Sequence, residues 1–112
     1  MKKIGIDARL YSQTGVGTYL KNLIYFLDKK NLKNELFYIY LMPEDYERVV
    51  LKNKNIIKRL VNYRWHTFSE QVSFALKLYF DDLDLMHFTY FSYPILYFKK
   101  FIATVHDATP LL

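Results

Sequence analysis

One run limits most what this chain can fold into. Residues 35–42 read ELFYIYLM, seven apolar or aromatic side chains following Glu35 without a break. The run has strand length, and a strand lacking polar alternation is one covered on both faces, as in a parallel sheet. Parallel strands need long crossovers, so helices should lie between them. The chain supplies these. Val16, Tyr19, Leu20, Leu23, Ile24 and Leu27 fall at successive three- and four-residue steps, a helical stripe that runs out in the charged residues 28–31. Residues 2–8 read as a first strand, Pro43 opens a short helix through Leu51, and residues 55–61 form a third strand. Thr67 and Glu70 have the spacing of a capping box, with Val72, Ala75, Leu76 and Tyr79 as the buried face behind it. Asp81 and Asp82 oppose the helix dipole at that end, which stops the helix there. Residues 84–88 and 100–106 are the last two strands. The reading is an α/β fold: a partial doubly wound, Rossmann-like parallel sheet of about five strands with helices on both faces.

Composition narrows the function classes. A chain of 112 residues with 52% hydrophobic and 24% charged residues is one domain with a core, not a disordered tail. With no cysteine, disulfide staples and thiolate zinc sites are excluded. The start, MKKIGIDARL, lacks the apolar centre of a signal peptide. The longest uncharged stretch, residues 85–98, falls short of the roughly 20 residues a spanning helix needs. A cytoplasmic protein is expected, extending to peripheral contact with the inner face of the membrane. The net charge of +5 comes from scattered pairs (Lys2-Lys3, Lys29-Lys30, Lys99-Lys100) and a loose cluster of Lys52, Lys54, Lys58 and Arg59. Scattered pairs are first a solvated surface, and beyond that an attraction to something anionic. The basic residues form no stripe and no aromatic RNA-binding motif accompanies them, so nucleic acid is not an expected partner.

In an open parallel sheet, ligands collect at the carboxyl ends of the strands. Three segments reach that rim. The first holds the turn Thr14-Gly15-Val16-Gly17, whose glycines let backbone amides at a helix start face an anion. It is no dinucleotide fingerprint, since Leu20 stands where a third glycine belongs, and it lacks the Gly-Lys-Ser/Thr ending of a P-loop. The second, HFTYFSYPILYF from His87, presents aromatic faces with polar tips, suited to sugar rings or to packing in a core. The third is His106-Asp107, an imidazole and an acid at a strand end, able to bond a sugar hydroxyl or move a proton. His87 and His106 have no third ligand at suitable spacing, so no metal is expected. Ser12 and Ser92 lack the context of a nucleophile elbow.

Taken in order, a strand ending I-x-I-D-A-R, the T-G-V-G helix start, a late D-L-x-H-F followed by proline, and a strand ending T-V-H-D-x-x-P-L resemble one family. This is the amino-terminal domain of the group 1, GT4-like glycosyltransferases of the GT-B fold, and the chain looks most like bacterial mannosyltransferase-type enzymes of surface polysaccharides. Glu70-Gln71 resembles a short acid-glutamine element those enzymes carry. The resemblance covers essentially the whole chain and implies an acceptor-side domain, itself incomplete, whose carboxy-terminal nucleotide-sugar-binding domain lies outside residues 1–112. It implies that Gly15, Val16 and Gly17 belong to the loop near the donor diphosphate and the acceptor. His87 and Tyr90 would border the acceptor, and His106 would face the donor sugar with Asp107 beside it. The substrates implied are a nucleotide-sugar and a saccharide or lipid-linked acceptor, with retention of anomeric configuration and no cofactor or metal. Positioning the two substrates needs both walls of a cleft, so this stretch by itself should be inactive. With no helix following, apolar surface near Leu111 and Leu112 should promote self-association. The competing reading is a non-catalytic α/β module that holds an anionic phosphosugar or a membrane surface.

Overall fold

The computed structural model describes residues 2–13, 15–62, 70–89 and 97–103. Five strands, β1 (Lys2–Asp7), β2 (Glu35–Leu41), β3 (Ile56–Leu60), β4 (Leu85–Phe88) and β5 (Phe101–Ala103), form one sheet in the order β3-β2-β1-β4-β5. Every neighbouring pair is parallel. The architecture is α/β. Helix α1 (Val16–Lys29) follows β1 and α2 (Pro43–Tyr46) follows β2. A π-helical turn (Glu70–Phe74) leads directly into α3 (Ala75–Asp81), ahead of β4.

Pleating sends alternate side chains to opposite faces, and the register shows where each set goes. Ile6 pairs with Ile39 and His87. Ile6, Ile39, Leu41 and Ile56 pack with Val16, Leu20, Ile24 and Leu27 of α1 on one face. Tyr40, Met86 and Phe88 point the other way and pack with Phe74, Ala75 and Leu78. The run in β2 is unbroken because it feeds both cores. Burying each such large apolar side chain contributes about 1.5–3 kcal/mol.

Each helix end has an identifiable stop. Beyond α1, the Asn53 amide donates to the carbonyls of Leu27 at 3.3 Å and Lys30 at 2.8 Å. Asp28 accepts the Lys52 and Asn53 backbone N–H groups, each at 2.8 Å. Helix α2 is shorter than expected, ending at Tyr46 rather than Leu51. The reason is Lys58, whose Nζ donates to the carbonyls of Tyr46 at 2.6 Å and Val49 at 2.7 Å, replacing the helical donors.

The second correction concerns α3. Residues 67–69 of the capping box lie outside the described residues, and Glu70 opens a π turn rather than an α-helix. A π turn admits an extra residue and so rotates the face that follows. The buried residues are Phe74, Ala75, Leu78 and Asp81; of the expected face only Ala75 is among them, since Val72 is half-buried and Leu76 and Tyr79 are exposed. Helix α3 does stop at Asp81, with Asp82 in the left-handed conformation at φ 52°. Strand β5 is described to Ala103. Leu111 and Leu112 fall outside the described residues. Among the described residues no helix is long and apolar enough to cross a membrane.

Candidate functional site at the carboxyl ends of β1 and β4

From β1 the chain winds outward through β2 to β3, then returns to the other side of β1 to lay down β4 and β5. The switch therefore lies between β1 and β4. At such a point the connections leave the sheet in opposite directions and open a crevice above the strand ends. The two ends are tied together here, since the Thr89 hydroxyl, just past β4, donates to the Asp7 carbonyl at 2.5 Å.

Just past the end of β1 sits a buried ion pair. Arg9 forks onto Asp7, with Nε to Oδ1 at 2.9 Å and Nη2 to Oδ2 at 2.7 Å, and its backbone N–H adds a third bond to Oδ1 at 3.1 Å. Its guanidinium lies 4.5 Å from the centroid of the Phe74 ring, so the π turn supplies a wall of the site. A bidentate fork of this kind is both strong and geometrically strict. It holds the start of the β1–α1 loop rigidly against the sheet.

That loop then closes by two tight turns, Tyr11 N–H to the Ala8 carbonyl at 3.1 Å and Gln13 N–H to the Leu10 carbonyl at 2.9 Å. The Ser12 hydroxyl reaches the buried Asp45 carboxylate at the start of α2. Gly15 takes φ +76°, with nothing within 4 Å of where a Cβ would stand. Gly17 does the opposite job, since a Cβ there would come within 2.6 Å of the Tyr11 carbonyl oxygen. One glycine turns the chain and the other lets the helix start abut the loop.

Helix α1 begins with Gly15 as its cap, so no side chain caps it, and its first turn holds no acid. Its positive dipole end is therefore uncompensated by a carboxylate of its own. It opens on the same rim as the ends of β1 and β4, where an anionic group would be favoured.

The residues singled out from the sequence distribute as follows. Gly15 is exposed at the rim, while Val16 and Gly17 are buried at the helix start. Val16 belongs to the α1 core. His87 is half-buried within β4, level with Ile6 and Ile102 on the α1 face of the sheet, one residue below the rim. Tyr90, His106 and Asp107 lie outside the described residues. Among the described residues no three side chains of metal-ligating type gather together. Sequence reasoning passed over Thr89 and the Asp7–Arg9 pair as site-building residues. The I-D-A-R string held the second in plain view, but nothing local marks Thr89, whose partner is 82 positions away. The chain matches no protein-family model, no curated protein and no solved structure.

Proposed function

We propose that the chain is the acceptor-side wall of a retaining glycosyltransferase of the GT-B type, acting on a nucleotide-sugar and a saccharide or lipid-linked acceptor. The observation that supports the reading is that the end of β1, which leads into the glycine turn, and the end of β4 are tied together by Thr89 and Asp7 at one topological switch point. In this reading the start of α1 stabilises the negative charge that develops on the departing nucleotide diphosphate as the acceptor oxygen bonds to the anomeric carbon. The Asp7–Arg9 pair and Thr89 act as positioning residues that keep this loop and the β4 end in register. His106 and Asp107, which follow β5, are assigned to the donor sugar by the resemblance alone. Transfer requires the second wall, because holding donor against acceptor is most of the work.

Amide chemical-shift mapping tests the reading. Titrating uridine- and guanosine-diphosphate sugars, then their sugar-free nucleotides, should move the amides of residues 15–18 and 87–89. Gly15→Ala should abolish the shifts. Shifts confined to any other face, or none with any nucleotide-sugar, overturn the proposal. Binding without transfer, once the chain is joined to a nucleotide-sugar-binding domain, would favour the non-catalytic module instead.

A further inference from the structure

A second surface lies away from the strand ends, on the outer side of α1. Between that helix and residues 48–51 runs an open groove of about 590 Å³, lined by Tyr11, Lys21, Tyr25, Asp28, Arg48 and Val50 among others. Of its apolar lining, Val50 is 78% and Tyr25 56% exposed, and Phe26, next to Tyr25 on α1, is 63% exposed. Tyr25 and Phe26 meet edge to face at 5.8 Å, and Lys29 Nζ lies 4.3 Å from the centre of the Tyr25 ring. Tyr25, Val50, Lys21 and Arg48 thus line one groove, with Phe26 and Lys29 beside it against the Tyr25 ring.

The charge of the patch is positive and largely uncommitted. Lys21 has no carboxylate partner among the described residues, and its Nζ lies 5.4 Å from the centre of the Tyr11 ring. Arg48, its side chain 70% exposed, reaches Asp45 alone among the described residues, at 3.8 Å, and that carboxylate already accepts the Ser12 hydroxyl. Asp28, the one acid lining the groove, is occupied by the Lys52 and Asn53 amides. Glu44 and Glu47 are exposed on and just after α2 but do not line the groove.

We propose that this face seats the protein on an anionic phospholipid bilayer, with Lys21 and Arg48 at headgroup phosphates and Tyr25, Phe26 and Val50 in the interfacial layer. Aromatic residues and snorkelling cations are the side chains that favour that layer. An exposed valine gains nothing from an inorganic anion and offers no ring to a nucleobase, whereas it gains from acyl contact. The inference stands on the outer face of α1 and is independent of the sugar-transfer reading.

Co-sedimentation with phosphatidylcholine vesicles, with and without phosphatidylglycerol, tests it. The protein should partition onto the phosphatidylglycerol vesicles only, and leave them as salt shortens the screening length from about 10 Å at 0.1 M to about 3 Å at 1 M. Lys21→Ala and Arg48→Ala should each weaken partitioning about five-fold, and together about thirty-fold, the effect of about 1 kcal/mol per cation. Lys21→Arg should retain binding. Phe26→Ser with Val50→Ser should weaken it while leaving its salt dependence unchanged. Lys100→Ala, exposed beside the far strand β5, should have no effect. An equal loss with Lys100→Ala would show attraction by net charge alone. That result, full retention in the Lys21→Ala/Arg48→Ala variant, release of the vesicles by inorganic phosphate at constant ionic strength, or no sedimentation at all overturns the proposal. All the substituted side chains are solvent-exposed, and an unchanged thermal melt certifies each variant as folded.

Discussion

Gly5, Gly17 and the Asp7–Arg9 ion pair each constrain the chain for a different physical reason, the last two at the candidate site. Gly5 lies mid-strand, where a Cβ would fall 2.6 Å from both Leu83 Cδ1 and Met86 Sδ. Gly5→Ala therefore overpacks the core beneath α3 and should lower stability by about 1–3 kcal/mol, read by urea unfolding. At Gly17 the obstacle is a backbone carbonyl rather than a flexible side-chain end, so the loop itself must shift. Gly17→Ala should move the amide resonances of residues 8–13 as well as lower the melting temperature, whereas Gly5→Ala should leave that loop unchanged. The ion pair gives the sharpest asymmetry. Arg9→Met strands a buried carboxylate and should cost about 3–5 kcal/mol. Adding Asp7→Asn should recover much of that loss, so the two changes together are milder than the first alone. Additive losses in a double-mutant cycle would show that the pair does not act as a unit.

At the scale of elements, legibility followed the range of the interactions that set each one. Strands β1 and β2 and helix α1 are visible in the sequence because pattern and burial agree locally. Of the six stripe residues, Val16, Leu20, Ile24 and Leu27 are buried and Leu23 partly so, while Tyr19 at the stripe's edge is exposed. Helix α2 stops early because of Lys58, 12 positions away from Tyr46, and no periodicity reports a capping group from another strand. The α3 face was misjudged because a capping box presumes an α-helix, while the π turn at Glu70–Phe74 shifts everything after it. The glycine turn of the site was legible from two glycines before a helical stripe. The Thr89 tie was not, since hydroxyl-to-carbonyl bonds across a sheet leave no trace in local sequence. Asn53 shows how much such remote contacts contribute. Besides closing the end of α1, its side-chain Oδ1 accepts the Asn55 N–H at 2.9 Å. Asn53→Ala should cost about 1–2 kcal/mol and speed amide exchange in the last turn of α1, with little change in β4.

Across the whole molecule, the cluster on the α3 face is held together by phenols and one buried carboxylate. Asp81 accepts the Tyr40 hydroxyl at 2.6 Å and Arg59 Nη2 at 2.6 Å, joining α3 to β2 and β3. Burial first, then the Asp81 hydrogen bond and charge, push the Tyr40 hydroxyl far above its ordinary range. Burial, followed by Tyr79 and Asp82, pushes Tyr97 up to about 12. Both groups hold their protons longer in the folded chain than in the unfolded one, whose phenols ionise near 10.0. Above that value the unfolded state releases protons that the folded state keeps, so stability is complete below about pH 10 and falls as pH rises toward 12. Each phenol adds at most about 1.4 kcal/mol per pH unit to that slope. Tyr97→Phe isolates one phenol's share of this slope. The Tyr97 hydroxyl has no hydrogen-bond partner among the described residues, so its removal should cost little at neutral pH while making the alkaline decline shallower by up to one proton. Tyr40→Phe should flatten the same limb but lower stability at pH 7 as well, because it takes a donor from Asp81. Urea unfolding at closely spaced pH values reads both effects. A Tyr97→Phe variant that declines as steeply as the parent would place the alkaline sensitivity outside this aromatic core.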